Sequence, residues 1–306
     1  MNAPALRPGL VVAAHGRHCL VESPDGSRLI CHPRGKKSQV VVGDRVRWLG
    51  TQDEGTVEKV DPRRNLFYRQ DEVRTKSFAA NLDQVLVLLA ADPEFSESQL
   101  SRALIAADAE GIEPLVVLNK MDLGEAYARA WERLAPYREM GHQVLQLGLK
   151  GGDAPDASLA TLQARLQGRT TLVLGPSGAG KSTLINRLVP SAGAQTGEVS
   201  RALNSGKHTT TSTTWYWVDE ARTTALIDSP GFQEFGLRHI EAPKLAGLMR
   251  DFAPLLGQCR FYNCTHLHEP GCAVRDVVGA AAAPRISAQR HAIYQMLFEE
   301  LSASRY

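Results

Sequence analysis

The sequence predicts a multidomain fold in which a small β-barrel is followed by an α/β domain and then by a mostly helical segment. Short β-branched runs separated by turn residues fill the N-terminal part, and apolar strands alternate with helical stretches in the middle. Helical patterns flank a group of cysteines near the C-terminus. We therefore divide the chain into residues 1–76, 77–238 and 239–306.

Five or six short strands in the N-terminal part predict a small barrel, and a five-stranded barrel is the natural candidate. An oligonucleotide-binding (OB) barrel fits its length and often presents a basic groove to RNA, and an SH3-like barrel fits the pattern nearly as well. The predicted strands are Leu10–Val12, Cys19–Glu22, Arg28–Cys31, Gln39–Val42, Arg45–Leu49 and Thr56–Val60.

The N-terminal part is also the basic part of the chain. Residues 1–76 contain 14 Lys and Arg against 9 Asp and Glu, a net charge of +5, whereas the whole chain carries +2. Such an excess attracts nucleic acid through its phosphates, although a mixed, solvated surface explains the charge equally well. The charge therefore supports an RNA-binding barrel only in combination with other features.

The middle of the chain has the pattern of a parallel sheet with crossover helices. Strands of such a sheet are buried on both faces and form nearly continuous apolar runs. The predicted strands are Val85–Ala90, Pro114–Leu118, Val144–Leu147, Thr170–Leu174 and Thr224–Ile227, and the predicted helices are Gln99–Ala109, Ala126–Tyr137, Leu159–Leu166 and Lys181–Leu188.

A glycine-rich loop, GPSGAGKS, separates one predicted strand from the helix that begins at Lys181. A strand, this loop and a helix are the context that the phosphate-loop (P-loop) motif requires. Its backbone N–H groups face a β-phosphate, Lys181 reaches the β- and γ-phosphate oxygens and assists catalysis, and Ser182 coordinates Mg²⁺. The residues predicted to bind the triphosphate are Gly175, Pro176, Ser177, Gly178, Ala179, Gly180, Lys181, Ser182 and Thr183.

A second loop, Asn119-Lys120-Met121-Asp122, follows another buried strand and predicts which base is bound. The Asp122 carboxylate can accept hydrogen bonds from N1–H and the exocyclic amine of guanine, a donor pair that adenine lacks. We expect Asn119 to hold neighbouring loops together and Lys120 to lie along the ring. The two loops together predict GTP binding.

A third element is an apolar strand that ends in the sequence DSPG, residues 228–231. We expect Asp228 to bind Mg²⁺ through water and the Gly231 N–H to donate to the γ-phosphate, so that the following loop responds to hydrolysis. The polar segment 206–211, GKHTTT, precedes this strand. Its Thr210 is predicted to complete the Mg²⁺ shell.

The order of these motifs is unusual, because the guanine loop precedes the P-loop by about 50 residues. A sheet can be cut in one surface loop and rejoined at its termini when the termini lie close together. The sequence therefore predicts a circularly permuted α/β P-loop GTPase domain. The chain leaves this domain directly after the loop that senses the γ-phosphate.

The cysteine group predicts a structural metal site near the C-terminus. Cys259, Cys264, His266 and Cys272 form a Cys₃His set, which is typical of closed tetrahedral zinc centres with one ion per chain. His268 is a competing imidazole, and buried free cysteines are the alternative to a metal. The helices predicted around this group are Lys244–Leu256 and Ser287–Leu301.

The motifs follow the order NKMD, GPSGAGKS, GKHTTT and DSPGF, and they lie between a basic barrel and a CxxxxCxHxxxxxC cluster. This arrangement resembles the ribosome small-subunit-dependent GTPase A (RsgA, also called YjeQ) family. The resemblance covers nearly the whole chain. Further local matches are Gly43-Asp44-x-Val46, Glu269-Pro270-Gly271-Cys272-Ala273-Val274 and Ile286-x3-Arg290-x3-Tyr294.

This resemblance implies a function in late maturation of the small (30S) ribosomal subunit. The family is expected to bind the 30S subunit and its 16S rRNA, to hydrolyse GTP when the subunit stimulates it, and to leave the subunit on hydrolysis. It also implies that Phe232 replaces the glutamine that orients water in other GTPases, and that His208 assists catalysis instead. A solvated loop histidine is the competing interpretation of His208.

The chain departs from the family pattern at one place in the nucleotide site. The resemblance implies a guanine-supporting loop of Ser-Ala type, and the sequence at that place is LGLK, residues 147–150. Backbone N–H groups of this segment remain available in principle to the base oxygen. We expect the departure to affect the affinity for guanine nucleotides.

Two other functions fit part of the sequence. An RNA-binding assembly factor that uses GTP as a structural ligand is favoured by the phenylalanine at position 232, and a permuted GTPase of the large subunit would lack this barrel and cysteine cluster. The longest apolar run, Val85–Ala91, is far shorter than the roughly 20 residues of a membrane-spanning helix. With no secretory signal either, we expect a cytoplasmic monomer that binds GTP and GDP without membrane contact.

Overall fold

The structure, a computed structural model, describes residues 5–35, 40–51, 53–150, 154–193, 213–230, 235–281 and 283–303. In these ranges a single sheet of 11 strands runs from the α/β part into the barrel. None of the helices in the described ranges has the length and apolar character that crossing a membrane requires.

Five strands form the N-terminal barrel in the order β1-β2-β3-β5-β4, and β1 closes it by pairing with β4 as well as β2. Alternate side chains point inward and form a small core that includes Val11, Val21 and Trp48. This order of strands is that of an OB-type barrel. The strands are β1 (Arg7–His15), β2 (His18–Glu22), β3 (Arg28–Pro33), β4 (Arg45–Gly50) and β5 (Gly55–Val60).

The strand predicted at residues 39–42 is not a regular strand in the described part of that segment. Val42 makes only an isolated bridge to Ala79. The chain turns at Gly43, where φ is +88° and an added Cβ would lie 2.2 Å from the carbonyl oxygen of Ala80. A side chain is excluded there, so the tight approach requires glycine.

A two-stranded hairpin joins the barrel to the α/β part. It consists of β6 (Leu66–Gln70) and β7 (Thr75–Ala80), and β7 crosses the predicted boundary between residues 76 and 77. Phe67 of β6 contacts Phe78 of β7 and Phe235, with ring centroids 5.8 Å and 5.5 Å away. The hairpin is therefore stabilised by packing against a segment more than 150 residues later in the sequence.

The α/β part is a mostly parallel sheet in the order β10-β9-β8-β11-β13-β12, with only β12 antiparallel. Alternate residues of β8 pack into two cores on opposite faces of the sheet. The elements are β8 (Gln84–Ala90), α1 (Glu97–Ala109), β9 (Glu113–Asn119), α2 (Glu125–Arg133), α3 (Ala135–Glu139), β10 (Gln143–Gln146), α4 (Ala154–Leu166), β11 (Thr170–Leu174), α5 (Lys181–Leu188), β12 (Thr214–Trp217) and β13 (Ala225–Asp228).

Two predicted helices are wrong in detail, and proline explains both. The helix predicted at 126–137 is divided into α2 and α3, because Pro136 has no N–H to continue the hydrogen-bond ladder. The helix predicted at 244–256 is replaced by two 3₁₀ helices, Ala242–Leu248 and Ala253–Leu255, each with a proline in its first turn. The end of the chain contains α6 (Ala273–Asp276) and α7 (Ala288–Ser302).

Arg290 attaches α7 to the rest of the protein. It is 3% exposed, donates from Nε and Nη2 to the two Asp251 oxygens at 2.9 Å, and donates from Nη1 to Ser101 Oγ at 2.7 Å. Buried ions are tolerated only when paired and hydrogen-bonded in this way. Arg290 therefore links α7 both to Asp251 and to α1 of the α/β part.

His142 predicts a pH dependence of stability. It is 7% exposed, its Nδ1 has no hydrogen-bond partner among the described residues, and burial lowers its pKa to about 3, with Arg250 and Arg290 adding to the effect. In the unfolded chain the pKa is about 6.5, so below that pH the unfolded state binds a proton that the folded state does not. We expect this group to lower the free energy of unfolding by about 2 kcal/mol between pH 7 and pH 5.

The measurement compares urea unfolding of the wild type and His142→Gln at both pH values. Other titrating groups are common to the two proteins, so only the difference between them reports on His142. A variant whose stability falls with pH as steeply as that of the wild type would contradict the assignment.

Candidate functional site

Three loops meet at the carboxyl edge of the parallel sheet. Strand β9 ends at Asn119, β11 leads into Gly175, and β13 ends at Asp228. Strand β11 lies between β8 and β13, and β9 is the other neighbour of β8. In open α/β sheets, ligands bind outside this edge. Residues that are far apart in sequence are therefore brought together here by the order of the strands.

The P-loop closely approaches two neighbouring segments. A Cβ at Gly175 would lie 2.7 Å from the carbonyl oxygen of Leu88, and one at Gly180 would lie 2.4 Å from Asn119 Nδ2. Gly180 also has a φ of +100°, which L-residues rarely adopt. Helix α5 begins directly after it, so its free N–H groups point towards the loop. The backbone thus forms an anion-binding cradle.

Lys181 is largely buried against the end of β13. Its Nζ contacts Asp228 Oδ1 and donates to the carbonyl oxygen of Ser229 at 2.6 Å. The Lys181 and Asp228 side chains are 11% and 3% exposed, so the pair is shielded from water. Ser229 in turn donates from Oγ to the carbonyl oxygen of Val173 on β11 at 3.0 Å. The amine and the carboxylate are consequently fixed side by side, with Ser182 next to Lys181 in the first turn of α5.

The guanine loop is tied to the P-loop by Asn119. Its Nδ2 donates to the carbonyl oxygen of Ala179 at 2.9 Å, and its buried Oδ1 has no partner among the described residues. Lys120 has a φ of +72°, and its Nζ contacts the carbonyl oxygen of Asp92 beyond β8. Asp122 is exposed in the 3₁₀ helix Met121–Leu123. Its carboxylate is therefore open to a ligand.

The segment after β10 lies beside both loops. Leu147 and Leu149 are buried, and the Met121 N–H donates to the carbonyl oxygen of Leu147 at 3.4 Å. The Gly148 N–H, which the sequence made a candidate for the base oxygen, donates to Ser158 Oγ at 3.1 Å. Sequence analysis did not identify Ser158, because a serine on a helix carries no signal for this contact.

Four of the predicted nucleotide-site features lie outside the described residues: His208, Thr210, Gly231 and Phe232. The strand that follows the first two is described. Thr214, the first residue of β12, is paired in register with Asp228 of β13. Thr214 is therefore the described residue of this region that lies beside Asp228 in the sheet.

Among the described residues, the ligand atoms of Cys259, Cys264, His266 and Cys272 lie within 4.8 Å of one another. His266 Nδ1 is 3.5 Å from Cys259 Sγ and 3.4 Å from Cys272 Sγ, and the two Sγ atoms are 3.9 Å apart. A tetrahedron with metal bonds of about 2.1–2.3 Å has edges of about 3.6–3.8 Å. The donor set and its spacing therefore fit a metal ion. His268 is exposed and does not belong to this group.

The family model described as RsgA GTPase matches residues 60–238. The chain is 69% identical over 306 residues to "Small ribosomal subunit biogenesis GTPase RsgA" of Variovorax paradoxus (strain S110), covering 100% of this chain and 96% of the relative. The chain belongs to the RsgA GTPase family. It is accordingly a GTP-hydrolysing enzyme, as the P-loop and guanine loop predict.

Two solved structures support the fold. YjeQ from Thermotoga maritima matches with a TM-score of 0.72 and 27% identity, covering 98% of this chain and 99% of the other. YloQ, described as a circularly permuted GTPase, matches with a TM-score of 0.70 and 25% identity, covering 98% and 97%. The predicted fold class, a barrel followed by a permuted GTPase domain and a mostly helical part with a Cys₃His group, is confirmed.

In this RsgA family member, residues around the metal group fix its shape. Glu269 accepts hydrogen bonds from the Thr265 N–H at 2.8 Å and from two further backbone N–H groups at 3.3 Å. Tyr294 donates to the carbonyl oxygen of Thr265 at 2.7 Å, and His291 Nε2 is 2.8 Å from that of His266. Such contacts orient the side chains that can bind a metal ion. Of these residues, Glu269 and Tyr294 lie in the local motifs that carried the resemblance, whereas His291 carried no sequence signal.

Proposed function

We propose that this GTPase acts in late maturation of the small (30S) ribosomal subunit, that the subunit stimulates hydrolysis, and that hydrolysis is coupled to release. The curated relative named above is called a small ribosomal subunit biogenesis GTPase. The observation that carries the proposal is the continuous sheet: barrel strand β1 pairs with β12, and β12 pairs with the strand that ends in Asp228. A barrel of RNA-binding type is thus directly attached to the nucleotide site.

In this proposal the P-loop residues 175–183 bind the phosphates, and Lys181 stabilises charge on the transferred group. Ser182 and Asp228 hold Mg²⁺, together with Thr210. The buried carboxylate at the end of β13 and the hydroxyl in the first turn of α5 are oxygen ligands of the kind that Mg²⁺ prefers. When bound, the ion neutralises charge on the β- and γ-phosphate oxygens.

The proposed base-reading residues are Asn119, Lys120, Met121 and Asp122. The exposed Asp122 carboxylate accepts from N1–H and the amine of guanine, and adenine would leave it unpaired. Asn119, through its contact with Ala179, keeps this loop in register with the phosphates. We further propose that Gly231 donates to the γ-phosphate and that His208 orients water when the subunit orders its loop.

For the metal group we propose one structural Zn²⁺ bound by Cys259, Cys264, His266 and Cys272. Three thiolates and one imidazole complete a tetrahedral shell and leave no open position for substrate. The ion would therefore stabilise the C-terminal part, residues 239–306, without taking part in hydrolysis. The barrel is the proposed contact with 16S rRNA, and the protein is proposed to act as a monomer.

A second candidate is an RNA-binding assembly factor for which GTP is only a structural ligand. The phenylalanine at position 232, in place of a water-orienting glutamine, favours it. Subunit-dependent turnover separates the two functions, because a structural ligand is not consumed.

The test measures phosphate release from GTP and from ATP, alone and with purified 30S or 50S subunits. We expect 30S subunits to accelerate GTP turnover about tenfold or more, because an added partner that orders catalytic groups acts as GTPase-activating proteins do. ATP and 50S subunits should have little effect. Equal turnover with and without 30S would overturn the proposal, and acceleration by 50S alone would identify the large subunit as the partner.

A further inference from the structure

A buried carboxylate lies at the junction between the barrel and the α/β part. Glu22, the last residue of β2, is 5% exposed. Its Oε1 accepts from Trp217 Nε1 at 2.7 Å, its Oε2 accepts from Arg28 Nε at 2.7 Å, and Arg222 Nη1 is 3.7 Å from Oε1. Arg28 belongs to the barrel, whereas Trp217 and Arg222 belong to the β12–β13 hairpin. The Glu22 carboxylate therefore interacts with donors from both the barrel and the β12–β13 hairpin.

The junction is also closely packed. The Arg222 guanidinium lies against the turn between β2 and β3, where a Cβ at Gly26 would be 2.0 Å from Arg222 Nη2. At the other end of β12, Thr214 is paired with Ala13 of β1. Removing one donor of a buried carboxylate leaves an uncompensated charge, so the barrel and the hairpin do not separate readily.

Strand β12 makes this junction relevant to hydrolysis. It has four residues, Thr214–Trp217, and on the side away from β1 it pairs Thr214 with Asp228. Glu22 contacts its last residue, Trp217. A shift of the barrel that pulls on Trp217 must therefore move a strand whose other end adjoins the carboxylate beside Lys181.

We propose that Glu22 and Trp217 are positioning residues that couple the barrel to the nucleotide site through β12. Contact of the 30S subunit with the barrel then changes the rate of hydrolysis, and the bound nucleotide changes the barrel, because coupling between two sites is reciprocal. The inference rests on the proposed function for the identity of the external partner only. The reciprocal effect is a property of the protein alone.

The test uses Trp217→Phe, which keeps an aromatic ring and removes the N–H donor. Arg28→Gln is the matched control, since it removes an equally short bond to the same carboxylate without crossing the junction. For Trp217→Phe we expect the ratio of 30S-stimulated to basal kcat to fall about fivefold or more, with basal kcat, KM for GTP and 30S affinity unchanged. The control should keep the wild-type ratio.

A second measurement needs no subunit. Amide hydrogen exchange of β1 and β2 is compared with GDP and with a non-hydrolysable GTP analogue bound. We expect a nucleotide-dependent difference in the wild type and Arg28→Gln that is lost in Trp217→Phe. The inference would be overturned if amide exchange in β1 and β2 of the wild type is the same with GDP and with the GTP analogue. It would also be overturned if Arg28→Gln and Trp217→Phe show the same nucleotide-dependent difference in exchange.

The two proposals fail in different ways. If 30S subunits do not stimulate the wild-type protein, the proposed function is wrong. The amide hydrogen exchange of β1 and β2 then tests the coupling between the barrel and the nucleotide site by itself. If 30S subunits stimulate the wild type and the ratio of stimulated to basal kcat is unchanged in Trp217→Phe, the proposed coupling is wrong and the proposed function stands. A loss of basal activity in both variants indicates a merely structural bond and also overturns the inference.

Discussion

Lys181→Ala is expected to lower kcat for GTP hydrolysis by on the order of 1,000-fold. In the proposed site the ammonium group stabilises charge that develops on the β- and γ-phosphate oxygens, and preorganised groups of this kind contribute factors of this size. The Lys181 side chain is 11% exposed and already lies beside Asp228, so the amine does not have to be moved out of solvent before it can act. Phosphate release under single-turnover conditions, with and without 30S subunits, measures the effect.

Two comparisons make this result specific. Lys244→Ala removes an exposed lysine that pairs with Glu241 on the surface, and it should leave kcat unchanged. Thermal unfolding checks that Lys181→Ala is folded, because the substitution leaves Asp228 without its cationic partner. A folded Lys181→Ala protein with turnover within tenfold of the wild type would remove Lys181 from the mechanism.

Loss of the proposed Zn²⁺ is expected to unfold the C-terminal part. Structural Zn²⁺ contributes about 10–16 kcal/mol of apparent binding free energy in zinc-finger peptides at pH 7, and that energy is folding energy. Cys264→Ala removes one of four ligands and should abolish stoichiometric metal binding. We expect a metal content near zero by elemental analysis and rapid proteolysis between residues 257 and 278, while the barrel remains protected.

His268→Ala is the control for this experiment. His268 is two residues from the ligand His266, but it is exposed and lies outside the metal group. It should retain about one metal ion per chain and the wild-type protease pattern. Metal loss in His268→Ala, or full metal content in Cys264→Ala, would refute the assigned ligand set.

The parts of the fold that depend on local sequence were predictable. The residues at the strand ends, Asn119 and Asp228, could be located because each follows an apolar run that is buried in the sheet. The P-loop was recognisable because its glycines are required by backbone geometry, as at Gly180. The Cys₃His group was recognisable because a closed metal site requires a characteristic set of cysteines and histidine close together in the sequence.

The parts that depend on distant partners were not predictable. Strand β12 is short and lies between β13 and the barrel, and no local pattern marks that pairing. The hairpin β6–β7 packs through Phe67 against Phe235, far along the chain. Likewise, no sequence pattern distinguishes Glu22 from other polar residues. Its place at the junction between the barrel and the α/β part is apparent only from its hydrogen bond with Trp217. Contacts of this kind depend on how distant segments pack in the folded protein, and local sequence patterns do not determine them.

The strand order also determines when the nucleotide site can form during synthesis. The guanine loop is made first, but the carboxylate at the end of β13 emerges only after about three quarters of the chain. The first residues of β1 pair with β4 within the barrel, but the part of β1 around Ala13 is paired on the side away from β2 only when β12 has been made, roughly 200 residues later. A truncated chain would therefore expose this part of β1 and lack a functional GTP site, and pairing of β1 with β12 would be among the last steps of folding.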